Sequence, residues 1–115
     1  MSELKELIQK IKKFRDDRDW MQFHNHKDMA LSLVLEAAEV LEHFQWKTGE
    51  QVSNLSDEKK QEIGEELADV MIYALELIDN LGLDAVDICN KKIEKNDKKY
   101  PADKAKGSAK KYTDL

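Results

Sequence analysis

Two segments of this chain place acidic residues three apart inside otherwise apolar sequence. The first, "EAAEV" at residues 36–40, follows the run "MALSLVL", and the second, "ELADV" at residues 66–70, leads into "VMIYALELI". Residues three and four apart share one face of a helix, so each segment predicts a helix that carries two carboxylates on a narrow face. The repeated context favours one chemical purpose for both segments.

The composition favours helices throughout. The chain has one proline, four glycines and 37% charged residues, and few runs alternate between apolar and polar. Ser56 and Asp84 are candidate N-caps, Gly82 is a helix stop, and Pro101 pushes the residue before it out of α geometry. We therefore predict four helices, at about residues 3–18, 28–46, 57–80 and 85–100.

A chain of 115 residues fits one domain with a single core. We place that domain at residues 1–101 and an irregular, basic tail at residues 102–115. The second and third predicted helices are apolar on more than one side, which is unusual for surface helices of a small monomer. A dimer or a larger assembly is therefore expected.

The charge is distributed unevenly. Residues 1–90 carry 10 Lys and Arg against 20 Asp and Glu, whereas residues 91–111 carry nine Lys against three acids. An acidic body argues against stable nucleic-acid binding, and a basic segment beside it suits a ligand that brings phosphates. Lysines near a helix C-terminus also complement the helix dipole, so a merely solvated face is the alternative.

Other features bear on location. No apolar stretch approaches the ~20 residues that span a bilayer, and the charged N-terminus differs from a signal peptide. We expect a cytoplasmic protein without a membrane partner. Cys89 is the single cysteine, which excludes a thiolate metal cluster and predicts a buried, inert thiol.

If the two acid-bearing helices pack antiparallel, Glu36, Glu39, Glu66 and Asp69 converge. Four unpaired acids in an apolar setting cost several kcal/mol or become protonated. His43, one turn after Glu39, could offset one of them, whereas a divalent cation could offset all four. The sequence thus predicts a metal site.

Oxygen ligands without cysteine favour Mg²⁺, with Mn²⁺ as a substitute. A di-iron carboxylate bundle would need Glu-x-x-His motifs, and none of the three histidines here has an acid three residues before it. The remaining alternative is that the acids form a solvated face by chance, in a chain with 24 acids. The protein would then be a non-enzymatic helical dimerisation or regulatory module whose lysines bind an acidic partner.

Three segments, "LSLVLEAAEVLEHFQWK", "EELADVMIYALELIDNLGLD" and "KIEKNDKKYP", together resemble the all-α nucleoside triphosphate pyrophosphatases of the MazG-like group, with its ExxE…ExxD magnesium motif. "RDWMQFH" and "GSAKKYTDL" are similar to the dCTP pyrophosphatase branch of that group. The resemblance implies a four-helix bundle, assembled as a dimer or a dimer of dimers. It also implies Mg²⁺-dependent cleavage of a dCTP-like nucleoside triphosphate to the monophosphate and pyrophosphate.

The resemblance also implies roles for individual residues. The four acids would be the metal ligands. Among them, we ourselves expect Glu39 to deprotonate the attacking water. Residues expected to contact the nucleotide are Trp20, His24 and Trp46 around the base and sugar, Tyr73 one turn beyond the last metal acid, and Lys92, Asn96 and Tyr100 on the phosphate side. Without the resemblance, the tryptophans would be assigned to the core edge and His24 to a surface loop.

Three positions depart from the family pattern. Leu35 and Ala38 stand where relatives often have glycine before each acid of the first pair, and Ile11 stands where some relatives have histidine near the base. These departures bear on backbone packing and on base preference.

Overall fold

The computed structural model describes residues 2–114 of the chain. Within that part the secondary structure is entirely helical, without a strand, which confirms the all-α prediction. The α-helices are α1 (Glu3–Asp17), α2 (His26–Glu42), α3 (Gly49–Ser53), α4 (Asp57–Asn80), α5 (Ala85–Lys99) and α6 (Ala102–Ala105). Two single-turn 3₁₀ helices cover Met21–Phe23 and Tyr112–Asp114.

Side-chain caps fix where the helices begin. Ser56 and Asp84 accept hydrogen bonds from backbone N–H groups three residues later, at the predicted starts of α4 and α5. Thr48 and Gln51 form a reciprocal capping box that starts the short α3, a helix the sequence analysis did not predict. Four of the six helices are long, and they correspond to the four that the sequence predicts.

The predicted bounds of the second helix, 28–46, are wrong at both ends. Asn25 accepts a hydrogen bond from the backbone of Asp28 at 2.9 Å, so α2 begins two residues earlier. After Glu42 the backbone tightens into a turn, in which the Phe44 amide donates to the Leu41 carbonyl at 2.9 Å. Trp46 therefore lies beyond α2 and not on its acidic face.

The C-terminal segment, predicted as irregular, contains some regular structure. Tyr100 leaves helical geometry before Pro101, as expected, and ends α5. Pro101 then starts α6, because its fixed backbone angle suits a helix start and its carbonyl accepts from Lys104 and Ala105 at 2.9 and 2.8 Å.

The chain forms two compact units, which meet in sequence between Gly82 and Leu83. Gly82 adopts φ 73°, in the left-handed region that glycine tolerates best. In the first unit α2 packs along α4, α1 also contacts α4, and Met29 is almost completely buried. The predicted division at residue 101 stays a prediction, because these units describe packing and not independent folding.

Many apolar side chains of the first unit are exposed. More than a third of each of the following is accessible on α2 and α4: Leu31, Val34, Leu35, Leu41, Leu67, Met71 and Ile72. Such surfaces favour self-association, although the assembly stays a prediction. No helix in residues 2–114 is long and apolar enough to cross a membrane.

Cys89 is exposed, so the prediction of a buried thiol is wrong. The prediction took the helical spacing of apolar residues in α5 as a sign of burial. Most of α5 is nevertheless accessible in the described structure, including the position of Cys89.

Candidate functional site

The acidic faces of α2 and α4 meet. Burial raises the pKa of Glu36, and the neighbouring carboxyl groups of Glu39, Asp69 and Glu66 raise it further. Glu36 thus lies near Asp69, while His43, just past the end of α2, lies near Glu66, earlier on α4. The two helices therefore run antiparallel and bring the four acids into one neighbourhood.

The Glu36 carboxylate lacks a partner. Glu36 and Glu39 lie close enough to share a proton, but two ionised carboxylates have no donor between them. Glu36 Oε2 is buried without a hydrogen bond to any residue in 2–114. Leaving such an oxygen unpaired is unfavourable, so the site favours a proton or a cation there.

One acid of the cluster lies against a histidine. Glu66 Oε2 is 2.5 Å from His43 Nε2, within ion-pair distance. His43 Nδ1 is buried and has no hydrogen-bond partner in the described part of the chain. The sequence suggested that His43 would compensate Glu39 on its own helix, whereas the structure places it against Glu66 on the opposite one.

The carboxylate oxygens of the cluster are suitable ligands for Mg²⁺, but their positions in this structure do not form a metal site. Carboxylate oxygens are the ligands that Mg²⁺ and Mn²⁺ prefer, and one of these oxygens is buried and unpaired. As they stand, no three His, Cys, Asp or Glu side chains in residues 2–114 are placed to hold one metal ion.

A cavity of about 360 Å³ adjoins the acids. Its walls come from α1, from the segment around the first 3₁₀ turn and from α4, and most of its lining is apolar. Trp20 stands edge-on to Phe14, with ring centroids 5.8 Å apart, and Asp69 and Tyr73 line the side shared with the cluster. An apolar cavity with an aromatic wall beside clustered carboxylates suits a ligand with a flat ring and a charged end.

The other end of the cavity holds a buried polar network. Glu76 Oε2 accepts from His24 Nδ1 at 2.8 Å and from Asn80 Nδ2 at 3.0 Å. Arg15 donates to Asn80 Oδ1 at 3.2 Å and to Asp16 at 2.8 Å. Glu76 and Arg15 are 3% and 6% exposed, and both line the cavity with His24.

Sequence reasoning missed Arg15, and it assigned no role to Glu76. Arg15 follows Ile11 by four residues and thus lies on the apolar stripe of α1, while Glu76 continues the acidic sector of α4. The available signal was a charge inside an apolar stripe for Arg15, and a place in the acidic sector for Glu76. The contact between His24 and Glu76 joins residues that are far apart in the sequence, so no local pattern could predict it.

Tyr73 lies between the acid cluster and the polar network around Glu76. Burial raises the pKa of its phenol, and the negative charges of Glu36, Asp69 and Glu76 raise it further. The phenol therefore stays protonated at neutral pH and can donate a hydrogen bond to an anionic ligand.

The structure does not bring Trp46 to this cavity. Its side chain is 87% exposed and lines a separate open groove with Lys47, Glu50 and Lys59. The sequence placed Trp46 with Trp20 and His24 around a base, but of these three only Trp20 and His24 line the cavity.

Lys92, Asn96 and Tyr100 lie in the second unit and are exposed. Lys92 and Asn96 are one turn apart on α5, and the Tyr100 ring packs edge-on to Tyr112 at 6.1 Å. Their contact with phosphates stays a prediction.

Known proteins resemble the chain over most of its length. The MazG-like family model matches residues 31–115. The dCTP pyrophosphatase 1 proteins of Bos taurus and Homo sapiens are each 38% identical over 104 residues, which are 89% of this chain. The chain spans 62% and 61% of the length of these two relatives.

A solved structure has the same fold. The crystal structure of a pyrophosphatase from Archaeoglobus fulgidus DSM 4304 superimposes with a TM-score of 0.82 at 37% identity, covering 88% of this chain and 94% of that one. With the family model matched over most of the chain, and with this agreement in both sequence and fold, the chain belongs to the MazG-like family.

Proposed function

We propose that the protein is a nucleoside triphosphate pyrophosphohydrolase that converts a dCTP-like substrate to the monophosphate and pyrophosphate. The observation that carries this proposal is the buried, unpaired Glu36 Oε2 among three further acids, next to an apolar cavity with an aromatic wall. The names of the similar proteins, dCTP pyrophosphatase 1 and a pyrophosphatase, support it.

In this proposal Glu36, Glu39, Glu66 and Asp69 hold Mg²⁺, which Mn²⁺ can replace. When bound, the cation neutralises charge on the triphosphate and polarises the phosphoryl group under attack. Glu39 is the most suitable general base, because its side chain is exposed to solvent water while it adjoins Glu36. It would accept the proton of the water that attacks the α-phosphorus.

The cavity would hold the base and sugar. Trp20 would offer an aromatic face to the base, and His24 would offer a ring nitrogen. Tyr73 would offer a hydroxyl group between the base and the acids. Fixing the nucleoside there would orient the triphosphate toward the carboxylates, and orientation is a large part of phosphoryl-transfer catalysis.

Four residues outside the cavity also have proposed roles in nucleotide binding. Trp46 would add a second aromatic contact to the nucleotide, and Lys92, Asn96 and Tyr100 would contact the phosphates. Lys92 and the lysines of the C-terminal segment would stabilise the pyrophosphate as it leaves. The protein would act as a homodimer or a dimer of dimers, supported by the exposed apolar side chains of α2 and α4.

The direct experiment is incubation with a panel of ribo- and deoxynucleoside triphosphates in Mg²⁺, with the products separated by chromatography. Monophosphate and pyrophosphate, formed fastest from dCTP or a cytosine-modified form, are the expected products. Diphosphate and orthophosphate would refute the mechanism. An absence of turnover with every nucleotide would favour the non-enzymatic dimerisation or regulatory module.

A further inference from the structure

Glu76 is a buried carboxylate with unused capacity to accept hydrogen bonds. An ionised carboxylate has about four acceptor positions and no donor. Within residues 2–114, two N–H donors reach it: His24 Nδ1, 3.0 Å from Oε1 and 2.8 Å from Oε2, and Asn80 Nδ2, 3.0 Å from Oε2. Oε1 therefore has only a share of one donor.

Arg15 does not satisfy this carboxylate. Its Nη1 lies 3.9 Å from Glu76 Oε2, which is an ion-pair distance and too long for a hydrogen bond. Its Nε donates to Asp16 instead. Glu76 thus lies near a positive charge, while part of its acceptor capacity is left to a ligand.

The contact with Glu76 also fixes the orientation of His24. Because a carboxylate only accepts, His24 must donate from Nδ1, and the opposite nitrogen, Nε2, is the one left for a ligand. Both residues line the cavity whose other side adjoins the acid cluster. The end of the cavity away from the cluster therefore offers acceptor positions on Glu76 and His24, beside the donor groups of Arg15.

We propose that Glu76 determines base specificity: its carboxylate accepts a hydrogen bond from an amino group of the bound base, so that the cavity favours cytosine over uracil or thymine. This inference rests on the proposed function, because it assumes that the cavity holds the base of a nucleotide. An amino group supplies the missing donor to Oε1. A carbonyl oxygen in the same place would set two acceptors against each other in a poorly solvated pocket.

The first experiment measures kcat/KM for dCTP and dUTP with wild type and Glu76→Gln. Wild type should prefer dCTP. The variant keeps the size of the side chain but replaces a charged acceptor with an amide that can also donate, so the dCTP/dUTP ratio should fall by about ten- to a hundredfold. An unchanged ratio in Glu76→Gln, or a wild type without a preference for dCTP, would overturn the proposal.

Asn80→Ser is the matched control. Asn80 belongs to the same network but is not among the cavity-lining residues, and its replacement removes a donor to Glu76 while keeping the carboxylate. The dCTP/dUTP ratio should therefore stay as in wild type. If both variants instead lower kcat/KM equally for both nucleotides, Glu76 is merely structural and the proposal fails.

A second experiment needs neither turnover, metal nor a variant. Ligand-observed NMR titration of wild type in EDTA compares 2′-deoxycytidine with 2′-deoxyuridine. Tighter binding of deoxycytidine supports the role of Glu76 even if no triphosphate is hydrolysed, in which case only the proposed function fails. Equal binding, or tighter binding of deoxyuridine, overturns the inference even if the enzyme hydrolyses both triphosphates.

Discussion

His43 Nε2, just past the end of α2, lies 2.5 Å from Glu66 Oε2 in the middle of α4. The contact joins the two acid-bearing helices where their acidic faces meet, and both side chains are largely shielded from water. Within residues 2–114, no basic side chain makes a comparable contact with Glu36, Glu39 or Asp69. The histidine therefore contacts one of the four acids, and the other three still favour a cation.

We expect His43→Ala to lower the free energy of unfolding by about 1–3 kcal/mol in EDTA, because it leaves the Glu66 carboxylate near three other acids without its partner. The loss should be smaller in Mg²⁺, since a bound cation would offset the same charge. Urea denaturation in the two buffers measures both values.

The double variant His43→Ala/Glu66→Gln is the control for this prediction. Removing the uncompensated carboxylate should restore most of the stability lost in the single variant. A loss that is the same in EDTA and Mg²⁺, and the same in the single and double variants, would assign His43 to packing alone.

Trp46→Ala should weaken nucleotide binding without lowering the stability of the fold. With 87% of Trp46 exposed, the melting temperature should hardly change, whereas loss of an aromatic stack should raise KM by the equivalent of ~1–3 kcal/mol. Phe23→Ala, at an exposed aromatic to which we assign no nucleotide contact, is the control. An unchanged KM for Trp46→Ala would leave Trp46 as an ordinary surface residue.

Deleting residues 102–115 should impair turnover more than folding. The segment carries four lysines near its short helix and little apolar surface, and its described aromatic contacts are those of Tyr112 with Tyr100 and Lys99. Tyr112→Ala, which keeps the lysines, separates the loss of these contacts from the loss of charge. A truncated protein with normal turnover would show that the segment is dispensable.

Features set by short-range sequence were predictable. Ser56 and Asp84 cap helices because their side chains reach amides three residues away, and Pro101 ends α5 because it constrains the residue before it. The proximity of Glu36 to Asp69 followed from helical periodicity, once the two acidic faces were assumed to meet. The capping box of Thr48 and Gln51 was also present in the sequence, but it was overlooked.

Features set by long-range contacts were not predictable. Trp46 was misplaced because helical spacing was extended past Glu42, where the backbone tightens into a turn. The pairing of His24 with Glu76 joins residues 52 positions apart, and it depends on how the 3₁₀ segment folds back on α4. No local pattern encodes that approach.

The measurement that tests the account most directly is thermal denaturation of wild type, Glu36→Gln and Asp69→Asn in EDTA and in Mg²⁺, with turnover measured in parallel. The pKa of Glu36 is raised in the folded state, so its stabilising contribution is present at low pH and lost as pH rises through that pKa. At neutral pH its charge opposes folding, and Glu36→Gln should be at least as stable as wild type in EDTA.

Mg²⁺ should stabilise wild type by about RT ln(1 + [Mg²⁺]/Kd) and stabilise the two variants much less. Their turnover should fall on the order of a hundredfold or more, since the cation supplies several kcal/mol of transition-state stabilisation. Glu65→Gln, at an exposed acid beside Glu66, should behave as wild type in every condition. Full activity and an undiminished Mg²⁺ shift in Glu36→Gln and Asp69→Asn would contradict the metal site and, with it, the proposed enzyme.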